Sequence, residues 1–427
     1  MPTPRVLVVA ENCNPEWVSV PLEAWSHYAA LRNVAQVHLV TQQRNREALV
    51  RAGLVEGTDF TVIDHERVAA PLYKMANLLG GRGGKGWTLR TAAYSLAYPW
   101  FERLLWKQLG PRLRAGEFDL VHQLTPLSPT AAPRIAKWCR KIGVPFVWGP
   151  INGGVPWPRA FDQARRRERE WLSYVRSGHK LLPGYRSVRR NAAALIIGSR
   201  DTWKQMPERY HDRCVYIPEN AVDPARFTRR RERQAARPVR LAFLGRLVPY
   251  KGPDIALEAA RPLLERGEVT FDIWGDGPLK PELERLAAGL PGVRRGGWVE
   301  HTKVQEVLSE ADVMVFPSIR EFGGGVALEA MAVGLPAMVV EYGGPAELVT
   351  PETGWLIPLG HREQIVSAVR SALEEVVARP SLADEKGLRA IERVNAKFTW
   401  PVKARQSLAV YDWVLGRGPK PDFGMPL

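Results

Sequence analysis

Short apolar runs alternate with stretches of helical periodicity along the whole of this sequence. The runs cover residues 5–10, 34–40, 119–124, 144–148 and 194–198, then 239–245, 269–274, 312–317 and 337–341. Strands that alternate with helices are typical of parallel βαβ units, in which helices cover both faces of the sheet. The pattern predicts an α/β protein built from two Rossmann-like, doubly wound halves.

The length supports a division into two parts, because 427 residues exceed what one hydrophobic core usually holds. The break is best placed near Ile217–Asn220, ahead of a charged stretch that is typical of a surface loop, Arg229–Pro238. A last helix is predicted from the apolar spacing after Trp400–Pro401. The predicted domains are 1–218, 219–399 and a terminal helical segment, 400–427.

Composition excludes several classes of protein. Hydrophobic residues make up 45% and charged residues 25% of the chain, values that are ordinary for a globular protein. The three cysteines are too far apart for a disulfide framework or a CxxC metal pair. Arg5–Ala10 resembles a buried strand more than a signal peptide, and no apolar run reaches the roughly 18 residues of a membrane span. A cytoplasmic protein is predicted.

The net charge of +15 is confined to one half of the chain. Residues 1–218 hold 32 basic and 17 acidic residues, whereas 219–427 hold 28 of each. An anionic partner of the first half is therefore expected, and a solvated Arg-rich surface is the alternative. A nucleic acid is the less favoured partner, because no nucleic-acid module is recognised.

Two stretches of the first half suggest contact with a membrane surface. Tyr94, Tyr98, Phe101 and Leu105 have helical spacing, and Pro99 is expected to kink or restart that helix. Residues 161–182 mix arginines with interfacial aromatics. This is typical of a helix that lies on anionic lipid, and a structural helix with a basic face is the alternative.

Several motifs of other enzymes are missing or incomplete. Gly80–Gly86 contains a formal GxGxxG, but no strand precedes it, and a mobile loop is expected there. The sequence contains no HExxH, GxSxG or DxD. It therefore offers no usual support for zinc or serine hydrolysis, and no metal site is predicted.

Two cations follow the first strand of the second half. Arg246 and Lys251 lie after the strand 241–245, at the rim where open α/β sheets bind ligands. Such cations can hold a diphosphate and stabilise the charge that grows as it leaves. Gly275 and Gly277 repeat the arrangement after the next strand and permit close approach to the backbone. Surface charges without a ligand are the alternative.

The stretch Pro317–Met331 combines carboxylates with a glycine run. Glu321 precedes three glycines, and a helix then carries Glu329. Amides at a helix N-terminus can bind phosphate oxygens, which carboxylates would repel. Glu321 is therefore predicted to bind sugar hydroxyls and Glu329 a ribose, with capping or ion pairing as the alternative.

These motifs, together with Asn220–Asp223 and Phe227, resemble glycosyltransferase family 4. The resemblance implies a GT-B fold with two Rossmann-like domains facing a central cleft, a terminal helix that crosses back to the first domain, and a retaining transfer from a nucleotide-diphosphate sugar without metal or cofactor. It implies catalytic roles for Arg246, Lys251, Glu321 and His122. It implies donor contacts from Gly245, Gly275, Val299, Phe322, Gly323, Gly324, Gly325, Val326 and Glu329.

The acceptor side departs from the family pattern. Asn12–Glu16 replaces a glycine-rich turn, and one histidine, His122, stands where the family has one or two. A structural histidine is the alternative for His122. Asn14, Asn152 and Gly153 are predicted to shape the acceptor pocket.

The resulting prediction is a retaining transfer of a hexose-type sugar to a hydroxyl of a glycan, a lipid-linked saccharide or a small metabolite. The enzyme would lie in the cytoplasm, with a peripheral position at the inner face of the membrane as an option. Two alternatives stay open. One is a non-catalytic sugar-nucleotide-binding scaffold at a membrane assembly site, and the other is a nucleotide-sugar epimerase, whose acid and base groups the sequence does not reveal.

Overall fold

A computed structural model describes residues 2–80, 86–130, 132–161, 183–231 and 235–425. The chain forms two compact units. The first consists of Met1–Gly154, Arg166–Glu219 and Trp400–Leu427, and the second of Val155–Arg165 and Asn220–Thr399. The strip Val155–Arg165 thus groups with the second unit, although the sequence had assigned it to the first domain.

The first unit is built around a seven-stranded sheet whose strand pairs are parallel. Its strands are β1 (Arg5–Ala10), β2 (Gln36–Gln42), β3 (Phe60–Ile63), β4 (Leu120–Thr125), β5 (Phe146–Ile151), β6 (Ala194–Ile197) and β7 (Cys214–Tyr216). Its helices before residue 220 are α1 (Val20–Leu31), α2 (Arg46–Arg51), α3 (Glu66–Gly80), α4 (Gly86–Arg114), α5 (Ile135–Lys141), α6 (Pro183–Asn191) and α7 (Arg200–Gln205).

The strand order of this sheet is β3-β2-β1-β4-β5-β6-β7. The order reverses between β1 and β4, where the connections leave toward opposite edges. Open α/β sheets bind ligands beyond the carboxyl ends of the strands at such a switch point.

The second unit contains a six-stranded sheet of parallel pairs in the order β10-β9-β8-β11-β12-β13. Its strands are β8 (Val239–Leu244), β9 (Val269–Trp274), β10 (Val293–Gly297), β11 (Val313–Phe316), β12 (Ala337–Val340) and β13 (Gly354–Ile357). Its helices are α8 (Pro253–Glu265), α9 (Lys280–Ala287), α10 (Val304–Ser309), α11 (Gly325–Ala332), α12 (Pro345–Leu348), α13 (Arg362–Ala378) and α14 (Ser381–Lys397). Here the order reverses between β8 and β11.

The predicted terminal helix forms as α15 (Trp400–Val414) and belongs to the first unit. It packs against α1, and its buried side chains include Ser407 and Tyr411. Ser407 bonds His27 of α1, and Tyr411 bonds His122 of β4. The last segment of the chain therefore completes the core of the first unit.

The restart of the helix expected at Pro99 does not occur. α4 runs as one helix from Gly86 to Arg114 and contains both Pro99 and Pro111. Proline removes one backbone N–H, and the buried side chains of Phe101, Leu105 and Leu109 hold this helix to the core.

Candidate active site

The turns after β8 and β11 bring a cation and a carboxylate together. The carbonyl of Tyr250 accepts bonds from the Ser318 hydroxyl and the Ile319 amide, which ties the two turns to each other. Lys251 Nζ lies 2.5 Å from Glu321 Oε2. Both side chains are largely buried, with 15% and 17% exposed. The two groups that the sequence predicted to bind phosphate and sugar therefore form one ion pair.

Arg246 occupies a different position in the same turn. Its side chain is exposed, and it makes no hydrogen bond or ion pair with the part of the chain that the structure describes. A guanidinium without an internal partner is available to an external anion.

The turns after β8 and β9 touch through their backbones. Gly245 N–H donates to Trp274 O at 3.1 Å, and a Cβ at Gly275 would lie 1.9 Å from Gly245 O. Gly275 N–H in turn donates to Gly297 O at 2.7 Å. Position 275 therefore requires glycine. The bond to Gly297 holds the end of β10 beside these turns, and half-buried Val299 follows two residues later.

The glycine run forms the N-terminus of α11. Gly324 is the N-cap in the left-handed region, with φ 71°, and no side chain caps the helix. The first amides of a helix have no partner within the helix, and they point outward from its end. The predicted anion-binding amides of Gly323, Gly325 and Val326 therefore lie at a helix N-terminus, next to Glu321.

A second glycine pair supports this run. Gly344 N–H donates to Glu321 O at 3.0 Å, and a Cβ at Gly344 would lie 2.1 Å from Phe322 O. Gly343 has φ 68°, and a Cβ there would lie 2.5 Å from Glu321 O. The loop after β12 thus fits closely beneath the segment that carries Glu321.

Glu329 lies on the second turn of α11 and pairs with a histidine that sequence reasoning missed. His301 Nε2 is 3.0 Å from Glu329 Oε1, and His301 Nδ1 faces Arg226. His301 lies two residues after Val299, a predicted donor contact, and Arg226 immediately precedes Phe227. Their nearness in sequence to these motifs is the signal that could have identified them.

Arg320 was also missed. It is 5% exposed, and its Nε donates to the carbonyl of Val155 at 3.2 Å. Its guanidinium lies 5.1 Å from the ring centroid of Trp157 and 5.3 Å from that of Phe322. These contacts hold the aromatic side chain that follows Glu321.

Known proteins match this unit directly. The family model for glycosyl transferases group 1 matches residues 238–375. Residues 238–375, called the group 1 domain below, are therefore similar to group 1 glycosyl transferases. The Lys251–Glu321 pair, the glycine run and Glu329 all lie within this domain, so the prediction of a glycosyltransferase is confirmed, and membership of family 4 stays a prediction.

Curated relatives of the group 1 domain act on different sugars. The chain is 30% identical over 243 residues to an alpha-D-kanosaminyltransferase of Streptomyces kanamyceticus, covering 53% of this chain and 61% of that protein. It is 34% identical over 171 residues to a GDP-mannose-dependent phosphatidylinositol dimannoside mannosyltransferase of Mycobacterium tuberculosis, covering 40% and 42%. The chain thus spans about half the length of the curated relatives it matches.

Solved structures extend the similarity to nearly the whole chain. Sucrose-phosphate synthase from Thermosynechococcus elongatus superposes with a TM-score of 0.62 at 16% identity, covering 97% of this chain and 100% of that one. Anabaena HepE in complex with UDP and glucose gives 0.56 at 17% identity, covering 95% and 98%. The GT-B fold with two Rossmann-like units is therefore confirmed.

His122, the predicted catalytic histidine outside the group 1 domain, is fully buried in the first unit. Its Nδ1 lies 2.6 Å from the Tyr411 hydroxyl and its Nε2 2.8 Å from Gly149 O. A carbonyl only accepts, so Nε2 carries the proton and Nδ1 accepts from Tyr411. Burial lowers the pKa of His122 to about 4. Both ring nitrogens are engaged inside this unit, which fits the structural alternative.

The predicted acceptor residues make local contacts in the first unit. Asn14 is 1% exposed, donates to Asn45 Oδ1 and accepts from Glu16 N–H. Asn152 Oδ1 accepts from Gly154 N–H, and Gly153 N–H donates to Thr202 Oγ1. These bonds shape the loops after β1 and β5.

The remaining predictions for the first half fall outside the described residues. They are the glycine-rich loop at 81–85, the basic segment at 162–182, and the side chain of Tyr94.

Proposed function

We propose that this protein is a retaining glycosyltransferase that moves a hexose-type sugar from a nucleoside diphosphate to a hydroxyl of a glycan or lipid-linked acceptor. The observation that carries the proposal is the Lys251–Glu321 pair beside the glycine N-terminus of α11. Three kinds of group lie together here within the group 1 domain. Lys251 is a cation that can bind phosphate, the amides at the start of α11 can bind phosphate oxygens, and Glu321 is a carboxylate that can bind sugar hydroxyls.

In the transfer, the bond from the anomeric carbon to the diphosphate oxygen breaks and a bond to the acceptor oxygen forms on the same face. The acceptor proton passes to the departing phosphate. Arg246, Lys251 and the amides at the start of α11 stabilise the negative charge that develops on the leaving group. Glu321 accepts from sugar hydroxyls and orients the ring. The cations supply this stabilisation without a metal ion, as the family resemblance implies.

Glu329 is proposed to bind the ribose. Its contact with His301, itself held by Arg226, fixes the carboxylate on one side. A carboxylate held in this way presents its remaining lone pairs to vicinal hydroxyls.

Relatives differ in the base and sugar of their donors. One named relative uses GDP-mannose, and a structural neighbour holds UDP and glucose. The test is therefore a panel of UDP and GDP sugars, with release of nucleoside diphosphate as the readout and binding of UDP and GDP measured by calorimetry.

Lys251→Met should weaken nucleoside diphosphate binding by about tenfold or more, because a charge-assisted contact is worth roughly 1.5–3 kcal/mol. Glu321→Gln should lower release from the nucleotide sugar by about tenfold or more, because a neutral amide holds the sugar hydroxyls less strongly than a carboxylate. It should change nucleoside diphosphate binding less than Lys251→Met does, since Glu321 is proposed to contact the sugar and Lys251 but not the phosphates. Exposed Lys141→Met and Glu363→Gln are the controls. Wild-type release by both Lys251→Met and Glu321→Gln would contradict the proposal.

The same panel separates the alternatives. A non-catalytic scaffold would bind a nucleotide sugar and release no nucleoside diphosphate from any donor. An epimerase would convert the sugar to its isomer without release. Release that continues in EDTA would support metal independence. A product whose glycosidic bond has the same axial or equatorial orientation as the bond in the donor would support retention.

A further inference from the structure

A short strap of chain lies against the turns that carry the Lys251–Glu321 pair. The strap is residues 155–157, which follow β5 in sequence and group with the second unit. Val155 is fully buried, and Trp157 is 8% exposed. Each of these two residues precedes a proline, and the residue before a proline favours an extended backbone. The sequence therefore favours an extended strap independently of its contacts.

Arg320 holds the strap to the turn after β11. Its Nε donates to Val155 O at 3.2 Å, and its guanidinium lies 5.1 Å from the ring centroid of Trp157 and 5.3 Å from that of Phe322. The Arg320 side chain is 5% exposed, and cation–π contacts strengthen where water is excluded. Arg320 directly precedes Glu321, and Phe322 follows it. The residues on both sides of the proposed sugar-binding carboxylate therefore belong to one contact cluster with the strap.

Two further contacts hold the strap at the neighbouring turns. The Tyr342 hydroxyl, after β12, donates to Pro156 O at 2.9 Å. The ring of Tyr250, after β8, meets that of Trp157 edge to face, with centroids 6.2 Å apart. Tyr250 directly precedes Lys251. Because the strap contacts the turns after β8, β11 and β12, it joins three loops of the candidate active site.

We propose that the strap positions Glu321 for the donor sugar and that Arg320 holds the strap in place. The inference rests on the proposed function, because it concerns the residue that holds the sugar in that transfer. Gly344, in the loop that Tyr342 begins, also bonds Glu321 O at 3.0 Å, so two of the turns that hold the strap support this residue. Arg320 acts through Glu321 and is a positioning residue. A displacement of about 1 Å at such a group can lower a rate about a hundredfold.

The first test removes the contacts of Arg320 in the full-length protein. Arg320→Met loses the bond to Val155 and the cation that faces both rings. Release of nucleoside diphosphate, from the UDP or GDP sugar that the wild type uses best, should fall by about tenfold or more, and calorimetric affinity for UDP and GDP should stay within about twofold. Trp157→Ala should give the same pattern. Trp157→Phe, which keeps a ring, should restore most of the release.

Trp355→Ala is the matched control for the loss of a buried indole. Trp355 is 7% exposed, close to the 8% of Trp157, and lies in β13, where it contacts Glu375 and Lys386. This variant should lower the melting temperature as Trp157→Ala does and leave release unchanged. An equal loss of release in both variants would reduce the strap to a part of the core.

A double-mutant cycle tests whether Arg320 acts through Glu321. Glu321→Gln alone lowers release, and adding Arg320→Met should lower it by less than about twofold more, because the effects of coupled residues do not add. Two independent roles would instead multiply the two losses. Multiplied losses, or wild-type release by Arg320→Met, would overturn the inference.

Nucleotide binding by the same samples keeps the two proposals apart. Retained binding of UDP or GDP shows that a variant is folded, and Tyr342→Phe, which removes only the bond to Pro156 O, replaces any variant that is not. Tyr342→Phe should lower release by about threefold. If the wild type releases nucleoside diphosphate and all strap variants match it, the strap is overturned and the proposed function stands. If the wild type neither binds nor releases a nucleoside diphosphate, the proposed function fails and the role of the strap fails with it.

Discussion

Residue types and spacing predicted that Lys251 and Glu321 follow strand ends at the ligand-binding rim. The structure brings the two side chains together because β8 and β11 are neighbours in the sheet, and their roles stay a prediction. Residue types and spacing were not enough for His301, Arg226 and Arg320. These side chains act through partners distant in sequence, such as the carbonyl of Val155 for Arg320. A single sequence contains no signal for the contact of Arg320, and for His301 and Arg226 it offers only their nearness to predicted motifs.

His122 is a residue for which the sequence suggested a catalytic role but could not reveal the contacts of its ring. Its place on β4 suggested chemistry, but the bonds to Tyr411 and Gly149 depend on α15 and on a backbone carbonyl. Its pKa of about 4 lies below the ordinary 6.5, so the unfolded chain takes up a proton first as the pH falls. Stability is therefore full above pH 6.5 and declines between pH 6.5 and 4.

The expected decline in the free energy of unfolding is about 3 kcal/mol over that window. His122→Gln can donate to Gly149 O and accept from Tyr411 without titrating, so its unfolding in urea should depend less on pH. His27, whose pKa is also low, still titrates in the variant, so its free energy of unfolding keeps some dependence on pH. Identical slopes for wild type and variant between pH 7 and 4.5 would remove His122 as the cause.

At the level of secondary structure, the nine predicted strands formed, and within the described residues four others were missed. The missed strands are β3, β7, β10 and β13, which are the edges of the two sheets. Each has three to five residues, and β10 is largely exposed. Apolar runs reveal strands that are covered on both faces, and edge strands have a weaker pattern.

The loop after β12 gives a prediction at this scale. Gly344→Ala would place a methyl group 2.1 Å from Phe322 O, and the glycine run must shift to relieve the contact. A loss of about 1–3 kcal/mol in nucleoside diphosphate binding is expected from such overpacking. Calorimetry with UDP and GDP measures it, and Gly418→Ala, where no atom lies within 4 Å of the added carbon, is the control. Equal affinities in wild type and Gly344→Ala would show that the loop does not support the site.

At the scale of the molecule, the charge of +15 in the first half remains the main sign of a partner. No helix in the described ranges is long and apolar enough to cross a membrane. We propose a peripheral position at an anionic membrane surface on the basis of this charge and of Arg165, Arg166, Arg167 and Arg169, which lie outside the described residues.

The protein should bind anionic vesicles more tightly than neutral ones, and added salt should weaken the binding. Replacing those four arginines by glutamine should reduce sedimentation with the anionic vesicles. Replacing four exposed arginines of the second unit, Arg266, Arg285, Arg295 and Arg379, should leave it unchanged. Equal sedimentation with both vesicle types would contradict the proposal.

The membership of α15 in the first unit affects how this protein can be divided. A fragment that stops at Glu219 loses Ser407, which bonds His27, and Tyr411, which bonds His122, along with the helix that packs on α1. Such a fragment would expose an apolar groove and aggregate during purification. A peptide spanning 400–427, added in trans, should restore its solubility, which makes this junction a natural place for split-protein complementation.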